Sequence, residues 1–285
     1  MSNKQLAKHC NELRRRKDFL FLTKLEKKFP QAEFFLVGGM VRDILLNRKS
    51  KDYDFVIRNV PLRTLLAELK KLGRVDLVGK TFGVLKFIPK KSTLGEPIDI
   101  ALPRVDHAFG TGGYKDVKTQ SDPKLPIEED LLRRDFTINA LAFDIKKKLL
   151  IDPSTGQKHL INKQVQTVGD PLERFHEDFT RMLRCIRFAC QLDFSIEKKT
   201  WQTIPKLVHH FSEKRDNNYI VPREVIAQEM IKSYVAHPVK AFDLFDQSGI
   251  TKELMPELLT MKKCPQPHNY HIEGDVWNHT RLTLE

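Results

Sequence analysis

Two carboxylates one residue apart, Asp52 and Asp54 in KDYDFVI, have a type and spacing suited to chemistry. Alternation along a strand puts both on one face, with Tyr53, Phe55 and Ile57 on the other. Like charges this close repel unless a cation sits between them, and hard oxygen donors near a polyphosphate select Mg²⁺. A pair of such ions about 3.5–4 Å apart activates an attacking hydroxyl and steadies a leaving oxygen. Upstream, FFLVGGMVRD places Gly38 and Gly39 between a strand and a helix start. Glycines there let the backbone approach a phosphate, which the free N–H groups of the helix end attract. Arg42 adds a guanidinium fork to the same anion. A bare GG is usually a tight turn and a bare D-x-D a solvated pair, but the two in this order carry a stronger signal.

Two later segments hold further candidates. In RRDFTINA, Asp135 and Asn139 stand four apart, so on a helix they share a face and one can orient the other or a sugar hydroxyl. Arg133, Arg134 and Asp135 taken alone also suit a solvated helix with an internal ion pair. In HEDFTRMLRCIRF, Asp178 and Arg181 are three apart on one helical face, and Arg184 and Arg187 extend the row. Leu183, Ile186 and Cys190 face the core in that reading, and an ion pair on a wet helix accounts equally for the charges.

Certain elements must position these groups. Residues 4–28 read as one amphipathic helix with Arg14, Arg15, Arg16 and Lys17 turned outward. From Glu33 to Leu150 the strand-like segments FFLVGG, DYDFVI, RVDLVG, TFGVLKFI and PIDIALP alternate with the helical VRDILL and LRTLLAELKKL. The polar stretch 104–126 reads as a long loop, and EEDLLRRDFTINALAF as a helix running into a strand. After Asp152 the patterns are helical. The expected fold is α+β: a head with a small mixed sheet and helices, then an all-helical neck and body. The expected divisions are a basic N-terminal helix at 1–30, a head at 31–150, a neck at 151–215 and a body at 216–285.

Composition narrows the class. The chain has 285 residues, 49 Lys and Arg against 37 Asp and Glu, and a formal charge of +12. Its first thirty residues carry a net +6 and residues 216–285 a net −3. The basic excess therefore lies before residue 216, where a polyanion partner is favoured, although solubility alone also explains such an excess. No apolar run reaches the roughly 18 residues of a spanning helix, so no membrane association is expected. An apolar leader segment is missing from the N-terminus, and its acidic residues argue against a transit peptide. Four cysteines without CxxC spacing indicate neither a disulfide framework nor a zinc knuckle, and point to a reduced, cytoplasmic setting.

GGMVRD followed by DYDFVI resembles the nucleotidyltransferase head of the DNA polymerase β superfamily. EEDLLRRDFTINALAFD and HEDFTRMLRCIRFACQL narrow the resemblance to class II tRNA nucleotidyltransferases and bacterial poly(A) polymerases, over most of the chain from about Phe34. The resemblance implies that Asp52 and Asp54 are catalytic and bind metal. It implies that Gly39 and Arg42 contact nucleotide phosphates, and that Arg134, supported by Asp135 and Asn139, contacts the nucleotide and its ribose. The stretch E-D-x-x-R implies an amino-acid template in which Asp178 and Arg181 read the base edge, for which guanidinium and carboxylate are geometrically suited. Arg184 and Arg187 are nucleotide contacts in relatives. Thr180 stands where relatives usually carry Leu, a departure expected to affect packing more than chemistry. A third carboxylate is often needed in the superfamily. Ile98, Ile100 and Leu102 share one face of their strand and leave Asp99 on the other, where it could serve as a metal ligand. The loop at 104–126 matches a segment that helps switch nucleotide specificity in relatives.

The function implied is template-independent addition of CCA to the tRNA 3′ end from CTP and ATP, with Mg²⁺ as cofactor and pyrophosphate as product. The tRNA acceptor stem and 3′ end are the expected partners, and no obligate protein partner is implied. Addition of CC, A or poly(A) by the same chemistry, and a catalytically inactive tRNA-binding protein, are the alternatives. HNYHIEGDVWNHT further resembles the opening of an HD phosphohydrolase domain, with His279 as a first metal ligand. No His-Asp dipeptide follows, so phosphohydrolase activity is not expected.

Overall fold

The computed structural model describes residues 3–50, 52–78, 84–113, 117–267, 269 and 272–285. The chain forms two compact units, one of Met1–His107 with Lys118–Asn162 and one of Ala108–Val117 with Lys163–Glu285.

The first unit opens with α1 (Asn3–Arg15) and α2 (Leu20–Lys28), separated by a 3-10 turn at Lys17–Phe19 where one continuous helix was expected. The turn lets two aromatic rings reach the sheet: Phe19 lies 4.6 Å from Tyr53, and Phe21 lies 4.9 Å from Phe87. It also buries Asp18. Burial opposes ionisation of that carboxyl, but hydrogen bonds from the Thr93 N–H and the Ser92 and Thr93 hydroxyls hold it below its usual range. Two of the four clustered cations are drawn into the fold by the same turn. Arg16 donates to the Tyr53 hydroxyl at 2.9 Å, and Arg14 pairs with Glu26. Only Arg15 and Arg16's neighbour Lys17 remain exposed without such a bond among the described residues.

The elements that follow are β1 (Glu33–Val37), α3 (Gly39–Leu45), β2 (Asp54–Arg58), α4 (Leu62–Leu72), β3 (Gly73–Val78), β4 (Val84–Pro89) and β5 (Ile98–Ala101). Next come β6 (Arg104–Ala108), β7 (Val117–Ser121), α5 (Ile127–Leu132), β8 (Ala142–Asp144), β9 (Leu149–Ile151) and α6 (Gly156–Ile161). Seven of the strands make one mixed sheet in the order β3-β4-β5-β2-β1-β8-β9. Only β2 and β5 run parallel in it, which sets Asp54 beside Asp99. β1 is buried along most of its length because both neighbours, β2 and β8, pair with it and its apolar side chains fill both faces. The segment expected as a long loop contains the β6–β7 hairpin. Its strands carry polar residues on both faces, so they show none of the apolar alternation that marks a half-buried strand. Polar pairing holds it instead: Asp106 accepts from the Thr119 hydroxyl at 2.8 Å and from Arg133 at 2.7 Å.

The second unit is helical apart from two pairs of two-residue strands, β10 (Gln164–Val165) with β11 (Ser195–Ile196) and β12 (Lys214–Arg215) with β13 (Asn218–Tyr219). Its helices are α7 (Pro171–Glu177), α8 (Thr180–Leu192), α9 (Lys198–Leu207), α10 (Arg223–Ala236), α11 (Pro238–Gln247), α12 (Ile250–Leu254) and α13 (Val276–Thr283). Helix α8 is the core element: Met182, Leu183, Cys185, Ile186, Ala189 and Cys190 are buried, and it packs on α10 and α11. The helix expected to run through His176–Leu192 is interrupted at Asp178, whose backbone is extended (φ −160°, ψ 103°). All four cysteines are free. Among the described residues, no helix is long and apolar enough to cross a membrane.

Candidate active site

In the first unit, β1 delivers the chain into the turn at Gly38, where φ is +68°. A Cβ on Gly38 would lie 2.9 Å from Arg134 Nη1 and 3.7 Å from Asp54 Oδ2, so turn, guanidinium and carboxylate meet at this point. One turn into α3, Arg42 donates from Nη1 to Asn139 Oδ1 at 2.7 Å and from Nε to Asp43 at 2.8 Å. Asn139 in turn donates to Asp135 Oδ1 at 3.3 Å, and that oxygen also accepts the Phe136 N–H at 2.8 Å. The expected pairing of Asp135 with Asn139 is present, but not on a helical face. Helix α5 ends at Leu132, Phe136 is extended, and Thr137–Asn139 form a 3-10 turn that brings the two side chains together. Gly39, Arg42, Asp54, Arg134, Asp135 and Asn139 therefore belong to one connected cluster.

Arg134 is mostly buried. Its Nη2 donates to Asp130 at 3.2 Å, and its Nε is buried with no hydrogen-bond partner among the described residues. Arg133 turns the other way, to Asp130 at 2.7 Å and to Asp106. Asp130 was not among the expected site residues, yet it is fully buried and carries both arginines. Burial opposes its ionisation, and the Arg134 and Arg133 guanidiniums outweigh that and hold the carboxyl below the usual range. Its signal was the spacing in DLLRR, which sets Asp130 three and four residues before the arginines.

Asp54 opens β2 and lies level with Asp99 on β5, while Asp52 is exposed just ahead of the strand. Burial, then repulsion from Asp99 and Asp52, push the Asp54 carboxyl up to about 6, with Arg134 and Lys86 pulling the other way. Lys86, across from Asp99 on β4, bonds both of its oxygens at 2.9 and 3.2 Å. Sequence reasoning did not find Lys86, because its partnership depends on the register of β4 against β5. Asp99 thus faces the site as anticipated, but already engaged. A set of hard carboxylate oxygens around Asp54, whose own carboxyl is raised first by burial and then by the charges of Asp99 and Asp52, fits a divalent cation. Asp52 and Asp54 would hold it, with Asp99 available on release from Lys86.

Gly38→Ala is expected to cost about 1–3 kcal/mol, since a non-glycine residue is strained at this backbone conformation and its Cβ must displace Arg134. A chemical denaturation midpoint equal to that of the wild type would remove this requirement for glycine.

In the second unit, Asp178 sits in the break between α7 and α8. Its Oδ1 accepts both the Thr180 N–H at 2.9 Å and the Thr180 hydroxyl at 2.6 Å, while Oδ2 has no hydrogen-bond partner among the described residues. Burial pushes this carboxyl above its ordinary range, although the Thr180 hydrogen bonds and the charge of Arg181 resist the shift. Arg181 follows on α8 rather than sharing one continuous helix with Asp178. Its Nη1 donates to Glu177 at 2.6 Å and to the Arg174 carbonyl at 3.0 Å, so the guanidinium is anchored by one nitrogen. The intervening Phe179 stacks on His210 at 4.0 Å, and its N–H donates to the carbonyl of Gly112, which belongs to the same unit. Arg184 and Arg187 approach the Phe188 ring at 5.7 and 4.0 Å. Arg187 is buried and paired with Glu229 on α10 and with Gln191, which places it in the α8–α10 seam. His209, His210 and Glu213 are a further group close enough to share a metal ion, and the sequence reading missed them. His279, on α13, bonds Glu273.

A mixed sheet holding a glycine turn, abreast carboxylates and a buried arginine is the architecture of a nucleotidyltransferase head. Residues 34–166 match the poly A polymerase head domain. Multifunctional CCA proteins from Shewanella denitrificans and Neisseria gonorrhoeae are each 34% identical to the chain, over 89% and 88% of it and 57% and 56% of their own lengths. The fold is similar to the Bacillus stearothermophilus CCA-adding enzyme in complex with CTP (TM-score 0.63, 26% identity, 82% of this chain and 53% of that one). It is also similar to the Thermotoga maritima CCA-adding enzyme complexed with tRNA (TM-score 0.66, 27% identity, 88% of this chain and 56% of that one). The chain is thus similar, in its head and over most of its length, to class II tRNA nucleotidyltransferases and bacterial poly(A) polymerases, nucleotidyltransferases that are generally metal-dependent. It spans little more than half the length of the curated relatives it matches.

Proposed function

We propose that this chain carries out template-independent addition of CTP- and ATP-derived nucleotides to the tRNA 3′ end, completing CCA. The observation that carries the reading is the convergence of Gly38, Arg134 and Asp54 at one point, with Asp99 level with Asp54. In the reaction the tRNA 3′-oxygen attacks the α-phosphorus, the bond to the bridging oxygen breaks, and pyrophosphate leaves. Mg²⁺ held by Asp52 and Asp54 would lower the pKa of the attacking hydroxyl and neutralise charge on the phosphates. The backbone at Gly39 and the Arg42 guanidinium contact the phosphates, and Arg42 is aimed by Asn139 and Asp43. Arg134, with an unsatisfied Nε, binds the nucleotide. Asp135 and Asn139 orient Arg42 and the sugar. Asp178 and Arg181 read the base through their unengaged atoms, flanked by Arg184, while Arg187 supports their helix from behind. The exposed basic residues hold the acceptor stem by its phosphates and shape.

The test offers transcripts ending at the discriminator base, at C and at CC, with CTP and ATP separately and together. CTP should be added to the first two, ATP only to the third, and addition should then stop. Repeated addition of ATP without CTP would establish a poly(A) polymerase instead, and no incorporation by a protein that binds tRNA would establish an inactive binder.

A further inference from the structure

Thr180 was expected to matter for packing, yet it makes the only two hydrogen bonds to the Asp178 carboxylate among the described residues. Both fall on Oδ1. Any residue but proline supplies the N–H bond, whereas the 2.6 Å bond requires a hydroxyl. The Thr180 side chain is buried, which restricts its rotation, and at one end of the carboxylate it fixes the roll of the whole group. With Oδ1 occupied twice, Oδ2 is the acceptor that Asp178 can offer to a ligand.

The consequence concerns which bases this acceptor tolerates. Cytosine and adenine present an exocyclic amino donor, while uracil and guanine present a carbonyl acceptor at the corresponding position. An ionised, fixed Oδ2 accepts from the first pair and repels the second. A carboxylate that rolls no longer holds its acceptor in one place, and a carboxyl that takes up a proton presents an O–H donor; either change loses this distinction. Burial drives Asp178 toward the protonated form, and the Thr180 hydrogen bonds oppose it.

We propose that Thr180 is a positioning residue that fixes Asp178 so that Oδ2 selects amino-bearing over keto-bearing nucleotides. The proposal rests on the base-reading role given to Asp178 above. It assigns to Thr180 a part in nucleotide choice, acting through Asp178 and not by touching the nucleotide.

The experiment compares kcat/KM for CTP and UTP on a transcript ending at the discriminator base, in the wild type, Thr180→Val, Thr180→Ala, Thr180→Ser and Asp178→Asn. Loss of a hydrogen bond to a charged group predicts a fall of about tenfold in the CTP:UTP ratio for Thr180→Val and Thr180→Ala. Thr180→Ser, which keeps the hydroxyl, should restore most of the ratio. Asp178→Asn should lose it altogether. Melting temperatures are measured in parallel, and the alanine variant decides the matter if the valine variant does not fold. A lowered melting temperature with an unchanged CTP:UTP ratio would make Thr180 merely structural and overturn the proposal, provided Asp178→Asn still shifts the ratio. An unchanged ratio in Asp178→Asn would instead overturn the base-reading role itself, and a wild type that adds no CTP would overturn both.

Discussion

Asp54→Asn is expected to lower nucleotide incorporation by about a thousandfold or more while making the metal-free protein more stable near neutral pH. The first effect follows from losing a metal ligand whose ion supplies several kcal/mol to the transition state, at about 1.4 kcal/mol for each tenfold. The second follows from the carboxyl itself. In the folded protein it titrates at about 6, pushed there by burial and by the charges of Asp99 and Asp52, against about 3.9 in an unfolded chain. The folded state therefore holds this proton more tightly. The cost of ionising Asp54 is fully present above about pH 6 and fades as the pH falls toward about 4. A shift of about two units corresponds to roughly 3 kcal/mol as an upper figure, and the neutral amide removes it. Thermal or urea unfolding in the presence of a chelator should thus favour the asparagine variant at about pH 7 and show no difference at about pH 4. Added Mg²⁺ should stabilise the wild type and leave Asp54→Asn nearly unaffected, since only a folded state with its ligands intact gains from binding. Equal stability of the two proteins at about pH 7 without metal would contradict the electrostatic account of the site. Undiminished incorporation would remove Asp54 from catalysis.

The candidate cluster was legible where its parts are local. Strand, turn and helix start follow one another in FFLVGGMVRD, and Asp54 opens the next strand, so type and spacing alone single out Gly39, Arg42 and Asp54, whereas Asp52 lies just ahead of the strand on which it was expected. Asp135 and Asn139 were paired correctly for a different reason than expected: a 3-10 turn, not a helix, spans their separation. What stayed hidden depends on how distant segments register. Lys86 meets Asp99 only because β5 lies parallel to β2 with β4 on its other side, and neither fact is written near either residue. The β6–β7 hairpin escaped because its strands are stabilised by Thr119, Asp106 and Arg133 and not by an apolar face.

The two interrupted helices teach a related lesson. Periodicity continued smoothly through Lys17–Phe19 and through Asp178, because apolar side chains on both sides of each break still point inward. Asp18 and Asp178 mark the breaks: each is a short acceptor that satisfies N–H and hydroxyl donors outside a regular helix. The sequence carried that signal as a carboxylate inside an otherwise amphipathic run. Reading Asp178 and Arg181 as two rungs of one helical face was wrong in geometry, and the break is what frees Asp178 Oδ2 from a pairing with Arg181.

Glu229→Ala is expected to destabilise the second unit by about 3–5 kcal/mol, the usual result of leaving a buried charge without its partner. Arg187 and Glu229 are both almost fully buried, on α8 and α10. The Arg187 guanidinium also bonds Gln191 at 2.8 Å and lies 4.0 Å from the Phe188 ring, so it cannot turn to solvent without disrupting the seam. Glu229 has Lys232 as a second, weaker partner at 3.4 Å, which cannot replace it for Arg187. An apolar pair of similar volume, Arg187→Met with Glu229→Leu, should recover most of the loss, because both desolvation costs disappear together. Urea unfolding of the two single variants and the double variant gives the coupling directly. Additive losses would show that the pair does not hold the seam. The double variant also separates the two roles open to Arg187. If it serves the seam, the repaired protein keeps its KM for CTP and ATP. If KM rises sharply in a protein of normal stability, Arg187 reaches the nucleotide in the working enzyme and the buried pair is one of two states it occupies.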